Sequence, residues 1–250
     1  LRDRRQNMAD RAGQSIENGS LKLSLYGEAG TLAVLDKRTG QVWQQAPIRP
    51  FGRCEGVAVK EHTLNLAWLE PGAPEQAVTI ALDSELPEFT VTIEAEGVLP
   101  GPVAFPYPFV SDPGTYLVIP MNEGISYPVE DASIEPRRFA AYAGHSGLCM
   151  AFWGVTDGNT GHMAIIETPD DAAIRVDRGM PGTAADGLLY VAPEWDSQKG
   201  SFGYARRLRY VFFDKVAMSP SVSGTALMPE NRVCSRLWRR SVRRYLRSIP

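Results

Sequence analysis

The sequence predicts an all-β chain of antiparallel sheets packed face to face, and three observations carry that expectation. Apolar and polar residues alternate with a period of two through one short run after another, as in Leu21-Lys22-Leu23-Ser24-Leu25. The 250 residues include 23 Gly and 19 Pro, enough to turn the chain after each run. No run with helical periodicity reaches helix length before Asp214.

Taken in order, residues 1–20 read as a polar lead-in, with Arg4 to Ala12 either a short helix or a frayed end. Leu21, Leu23 and Leu25 begin a meander that turns at Tyr26 to Gly30, returns over Thr31 to Asp36 and turns again before Gln41-Val42-Trp43. Three more one-faced strands follow: Leu64, Leu66 and Trp68; Val78, Ile80 and Leu82; Phe89, Val91 and Ile93. Val98 to Pro113 is rich in Pro and aromatics and reads as an edge or connecting ledge, because Pro cannot donate to a central ladder. Tyr116 to Ile119, Leu148 to Val155 and His162 to Thr168 are apolar runs, the last two joined by the Asp157-Gly158 turn. Ala172 to Val176, Gly187 to Val191 and Tyr204 to Phe213 complete the set, so residues 21–214 read as one β domain. Residues 215–250 form a basic tail.

Composition narrows the partners. A formal net charge of −3 argues against general binding to nucleic acid or acidic membranes. No run approaches the roughly 20 apolar residues of a membrane helix, and the amino end has no apolar signal core. Cys54, Cys149 and Cys234 are widely spaced, which favours reduced thiols and a cytoplasmic setting. Cys149 and Trp153, both in an apolar run, read as core.

The polar, Gly-flanked groups concentrate between Pro120 and Val176. Asn122-Glu123-Gly124 directly follows a strand, and His145 sits in Ala143-Gly144-His145-Ser146-Gly147. Both resemble binding loops carried on a rigid sheet, so Asn122, Glu123 and His145 are the candidate substrate-binding residues and are expected to come close in space. An ordinary turn and a structural histidine are the alternatives. Asp157 and Asn159 read as a hairpin turn, since the bidentate Glu of a calcium loop is absent. Asp170 and Asp171 point to opposite faces if extended, a poor catalytic pair, and read as an Asx turn. His62, His145 and His162 lack ligand spacing, so neither a metal site nor a cofactor is expected, and no complete catalytic set is present.

The motifs Asn122-Glu123-Gly124, YAGHSG, FWGVTDG, MAIIETPDDAAIRV and GYARRLRYVFFDK, with the opening LKLSLYGEAGTLAVLDKRTGQVW, resemble the amino-terminal β domain of bacterial glycoside hydrolases. The family is that of the endo-α-N-acetylgalactosaminidases and α-N-acetylgalactosaminidases, and the likeness spans about residues 17–215. It implies a galactose-mutarotase-like β-supersandwich preceding a (β/α)8 barrel that holds the catalytic carboxylates. On that resemblance the chain is a fragment, a non-catalytic domain supporting a missing carboxy-terminal barrel. It would contribute a loop to carbohydrate binding, and the Val98 to Pro113 ledge would pack on the barrel. The alternative is a self-sufficient carbohydrate-binding module, or an aldose-epimerase-like enzyme using His145 and Glu123 as acid and base. Residues 215–250 depart from the family pattern. Arg232, Arg236, Arg239, Arg240, Arg243, Arg244 and Arg247 crowd a chain that is acidic elsewhere. Reading Leu237 to Leu246 two bases later permits the family's Lys- and Glu-rich stretch. The tail is therefore expected to be frameshifted or non-native, loosely packed or helical; a genuine basic helix is the alternative.

Overall fold

The computed structural model describes residues 12–47, 52–99, 101–121, 124–141, 147–179, 185–197 and 201–215. Among them every regular element is a strand, and all strand pairs are antiparallel. β1 (Ala12–Glu17), β2 (Leu21–Tyr26), β3 (Thr31–Asp36) and β4 (Val42–Gln44) form a four-stranded meander. The next four are β5 (Arg53–Lys60), β6 (Thr63–Leu69), β7 (Gln76–Leu82) and β8 (Glu88–Ala95). They are followed by β9 (Tyr116–Ile119), β10 (Ile125–Pro128), β11 (Arg137–Ala140) and β12 (Phe152–Thr156). The last are β13 (Gly161–Ile166), β14 (Ala172–Arg178), β15 (Leu189–Trp195) and β16 (Arg206–Phe213). A nine-stranded sheet runs β10-β9-β12-β13-β16-β8-β7-β6-β5, and a three-stranded sheet runs β11-β14-β15.

Register turns the period-2 pattern into a core. Leu64, Ile80, Val91, Leu208 and Ile166 face one another in a single row across β6, β7, β8, β16 and β13, each nearly or fully buried. Burying one such side chain stabilises the fold by about 1.5–3 kcal/mol. A one-residue slip would turn the whole row to solvent. The two smaller sheets cover this inner face. Trp43 of β4 meets His162 of β13 edge-on at 4.8 Å, and β15 lies against β9. The result is an all-β sandwich.

The turn between β12 and β13 is the predicted hairpin. Asp157 Oδ1 accepts hydrogen bonds from the amides of Asn159 (2.8 Å) and Thr160 (2.6 Å), and Gly158 takes φ 90°.

One expectation needs correction, and two features go beyond the sequence reading. Residues 12–17 are not lead-in: they form β1, paired with β2 from Ala12↔Tyr26 to Glu17↔Lys22, with Ile16 buried. Their polar sequence hides a strand because Ile16 is the only large apolar anchor. β5 was not predicted either; Gly56 lies within a register shift, and most of the strand's residues are exposed, so alternation is broken. The ledge, finally, does not offer its aromatics outward. Val103, Phe105, Tyr107 and Phe109 are all buried in this chain's own core. Phe105 and Tyr107 pack on Trp68, and Phe109 packs on His162, Tyr210 and Phe212. The tail from residue 216 onward lies outside the described residues.

Candidate functional site

Asn122, Glu123 and His145 also lie outside the described residues, but the main chain on either side of them is placed. β9 ends at Ile119, and the amide of Gly124 donates to Met121 O (2.7 Å). The amide of Cys149 donates to Pro120 O (2.8 Å), and that of Leu148 donates to Ala140 O (3.0 Å). The roots of the two predicted segments are thus stitched together at one end of the sandwich. On the far side, the Ala141 amide donates to Ala172 O (2.8 Å), which brings in the start of β14.

Beneath these roots lies a buried ionic network. Strand alternation puts Arg206 on the same face as Leu208, Tyr210 and Phe212, level with Ile93 in the core row. It is fully buried. Its Nη2 donates to Asp171 Oδ2 (2.9 Å) and to Asp196 O (3.2 Å), and its Nη1 donates to Tyr204 O (2.8 Å). The Tyr204 and Phe202 ring centroids lie 3.5 and 4.2 Å from its guanidinium carbon. Its Nε has no partner among the described residues. The chain turns at Asp170 and Asp171, closed by the Ala172 amide on Pro169 O (3.1 Å), and Asp171 is in addition the buried counter-ion of Arg206, while Asp170 beside it is exposed. The sequence carried the signal for Arg206 in its position two residues before Leu208.

The network continues along β15. Glu194, 1% exposed, accepts from Arg138 Nε (2.7 Å) and Arg175 Nε (2.5 Å), and Arg138 Nη2 reaches Asp196 Oδ2 (2.5 Å). Burial alone would push the Glu194 carboxyl up, but hydrogen bonds from Arg175 and Arg138 and their charges hold it below the usual carboxylate value. Burial pushes the Tyr204 hydroxyl up, and its hydrogen bond to Asp171 adds to this against the pull of the Arg206 charge. A general acid working near neutral pH needs a carboxyl raised towards neutrality. Glu194 is shifted the other way, which does not suit a general acid near neutral pH.

Two other sequence readings resolve here. Trp153 is buried as expected. Cys149 is exposed, not core, because the chain bends over residues 149–151 and the strand begins only at Phe152. His162 is also fully buried, among Trp43, Phe109, Tyr210 and Phe212. Burial pushes its imidazole down to about 3, so it is a neutral core ring.

The described residues define an antiparallel β sandwich. No protein-family model and no curated protein sequence matches the chain. Among solved structures it is similar to the α-N-acetylgalactosaminidase NagBb from Bifidobacterium bifidum, with a TM-score of 0.61 at 14% identity, over 81% of this chain and 36% of that one. The chain therefore spans about a third of that enzyme. It is also similar to the galactosidase domain of the α-galactosidase-sucrose kinase AgaSK (TM-score 0.51, 7% identity, 80% of this chain, 40% of that one). A third likeness is to the Slr1438 protein from Synechocystis (TM-score 0.51, 12% identity), covering 81% of this chain and 96% of that one. At these identities the likeness is one of fold.

Proposed function

We propose that the chain is the amino-terminal, non-catalytic β domain of a glycoside hydrolase, supporting a carboxy-terminal catalytic barrel and contributing a loop to carbohydrate binding. The observation that carries this reading is the fold shared with about a third of NagBb, an enzyme whose structure has been solved in complex with GalNAc. A galactose-mutarotase-like sandwich is the architecture the reading implies. The stitched roots at Pro120–Cys149 and Ala141–Ala172 support it as well. They flank the positions of Asn122, Glu123 and His145 in the chain, which this reading takes for the loops of a carbohydrate-facing wall.

The test has two arms. The 250-residue chain is expected to release nothing above a buffer blank from aryl α-N-acetylgalactosaminides or other aryl glycosides. Reading the source DNA beyond the codon for Lys215 in all frames is expected to reveal a barrel. Turnover by the isolated chain that is lost on Glu123→Gln would overturn the reading. The second reading, a self-sufficient module, draws on Slr1438, nearly all of whose chain is matched by this fold. Its mark is sugar binding or anomeric interconversion by the chain alone, abolished by His145→Ala.

A further inference from the structure

We propose that the groove between β10 and β11 is a binding site for a neutral hexopyranose. It uses different residues from those around Glu123 and His145, and it rests only on the carbohydrate part of the function proposed above, needing no catalytic barrel. β10 and β11 are edge strands of different sheets, and the open groove between them has a volume of about 420 Å³. Small-molecule sites run from roughly 300 to 1,000 Å³.

The walls are held before any ligand arrives. Arg178 Nη2 donates to Asp131 O (2.5 Å) and Ile134 O (2.7 Å), and its Nη1 donates to Gly187 O (2.9 Å). Asp131 Oδ1 accepts from the Ser133 amide (2.9 Å) and hydroxyl (2.7 Å). A loop fixed by these bonds loses little further freedom on binding.

The lining selects the ligand. Phe139 and Val176 make a buried apolar floor, and Tyr127 and Ile134 are half-buried walls able to take the C–H face of a sugar ring. Glu135 and Arg137, both exposed, supply the charged groups; neither is in an ion pair among the described residues. The Arg137 guanidinium carbon lies 5.0 Å from the Phe139 ring centroid. An anion would meet the Glu135 carboxylate, and a cation would meet Arg137. A purely apolar ligand would strip water from both without replacing its hydrogen bonds. A neutral polyol satisfies both, donating hydroxyl protons to the carboxylate and accepting from the planar guanidinium.

The experiment is amide NMR on the 250-residue chain, with galactose, N-acetylgalactosamine and glucose added in turn to about 50 mM and inorganic phosphate as the charged probe. Millimolar affinity is the scale expected of a shallow site for one ring. At least one sugar should shift the amides of Tyr127, of residues 133–135 and of residues 137–139 saturably, with Arg137→Met and Glu135→Gln each weakening it about tenfold. Both side chains are exposed, so both variants should keep the wild-type circular dichroism. Absence of saturable shifts with every sugar, shifts unchanged by both variants, or phosphate binding tighter than any sugar would each overturn the proposal. A negative result here leaves the search for a downstream barrel untouched, so the two readings fail separately.

Discussion

Replacing Asp171 by alanine strands a charge that cannot leave. The Arg206 guanidinium is fully buried and stays protonated at any pH the fold survives. After the substitution it keeps two carbonyl acceptors, Tyr204 O and Asp196 O, and two aromatic faces, while its Nε is already bare. Breaking a buried pair on one side costs about 3–5 kcal/mol. The rings, each worth up to about 2 kcal/mol to a desolvated cation, place the expected loss near 3 kcal/mol. With a urea m-value of about 3 kcal/mol/M, the midpoint should fall by about 1 M. Adding Arg206→Met to Asp171→Ala removes the orphaned charge and leaves an apolar side chain in an apolar row, so most of the loss should return. Urea unfolding of the wild type, both single variants and the double variant closes the cycle. A loss below about 1 kcal/mol for Asp171→Ala, or a double variant no more stable than that single one, would refute the reasoning.

Three further outcomes follow from the same structure. Glu194→Gln should cost about 1–3 kcal/mol at pH 7, below the fully buried figure because Arg138 and Arg175 are each about a third exposed. The native carboxyl is held below its unfolded value of about 4.3, so its stabilisation is full above that pH and disappears in acid; denaturation midpoints of wild type and variant should converge as pH drops below about 4. For His162, with an unfolded value of about 6.5 and a native value of about 3, the unfolded chain binds the extra proton between the two, so stability falls as pH falls through that window. His162→Phe should abolish this slope of about 1.4 kcal/mol per pH unit, and parallel stability curves from pH 4 to 6 would contradict it. Gly52→Ala would set its Cβ 1.7 Å from the buried Trp68 ring, and a thermal melt should show a loss of at least about 2 kcal/mol.

The strands whose faces differ in polarity were legible in the sequence. β2, β6, β7, β8 and β16 each alternate, and each buries the residues that alternation selects. β1 and β5 escaped because edge strands need few apolar anchors, and here one relies on Ile16 while the other is interrupted by a register shift. Of the candidate site, Asn122, Glu123 and His145 lie outside the described residues. Its loop roots fall where polar, Gly-flanked residues interrupt the strands. The ionic network beneath them was not visible, because Asp171 and Arg206 lie 35 positions apart in the chain and meet only through sheet pairing. Arg206 falls on the buried face by its spacing from Leu208, but the carboxylate that neutralises it is not marked in the sequence.

The ledge has a consequence for how the molecule assembles and tolerates change. Its main chain reaches both covering sheets: Val103 exchanges amide hydrogen bonds of 2.9 Å with Trp195 of β15, and Val110 N donates to Gln44 O of β4 at 2.8 Å. Its rings meanwhile fill the interior facing the largest sheet. Neither small sheet can seat fully until a segment distant in sequence has arrived, a long-range topology that slows folding. A cut or an inserted peptide between residues 103 and 110 would therefore part three sheets at once. The same change at the exposed turn of residues 84–86 would disturb one hairpin and the two hydrogen bonds that Asn18 donates to Asp83 O and Leu86 O. In this chain a stretch without regular structure acts as the crossbar, and engineering that treats irregular segments as dispensable should leave it intact.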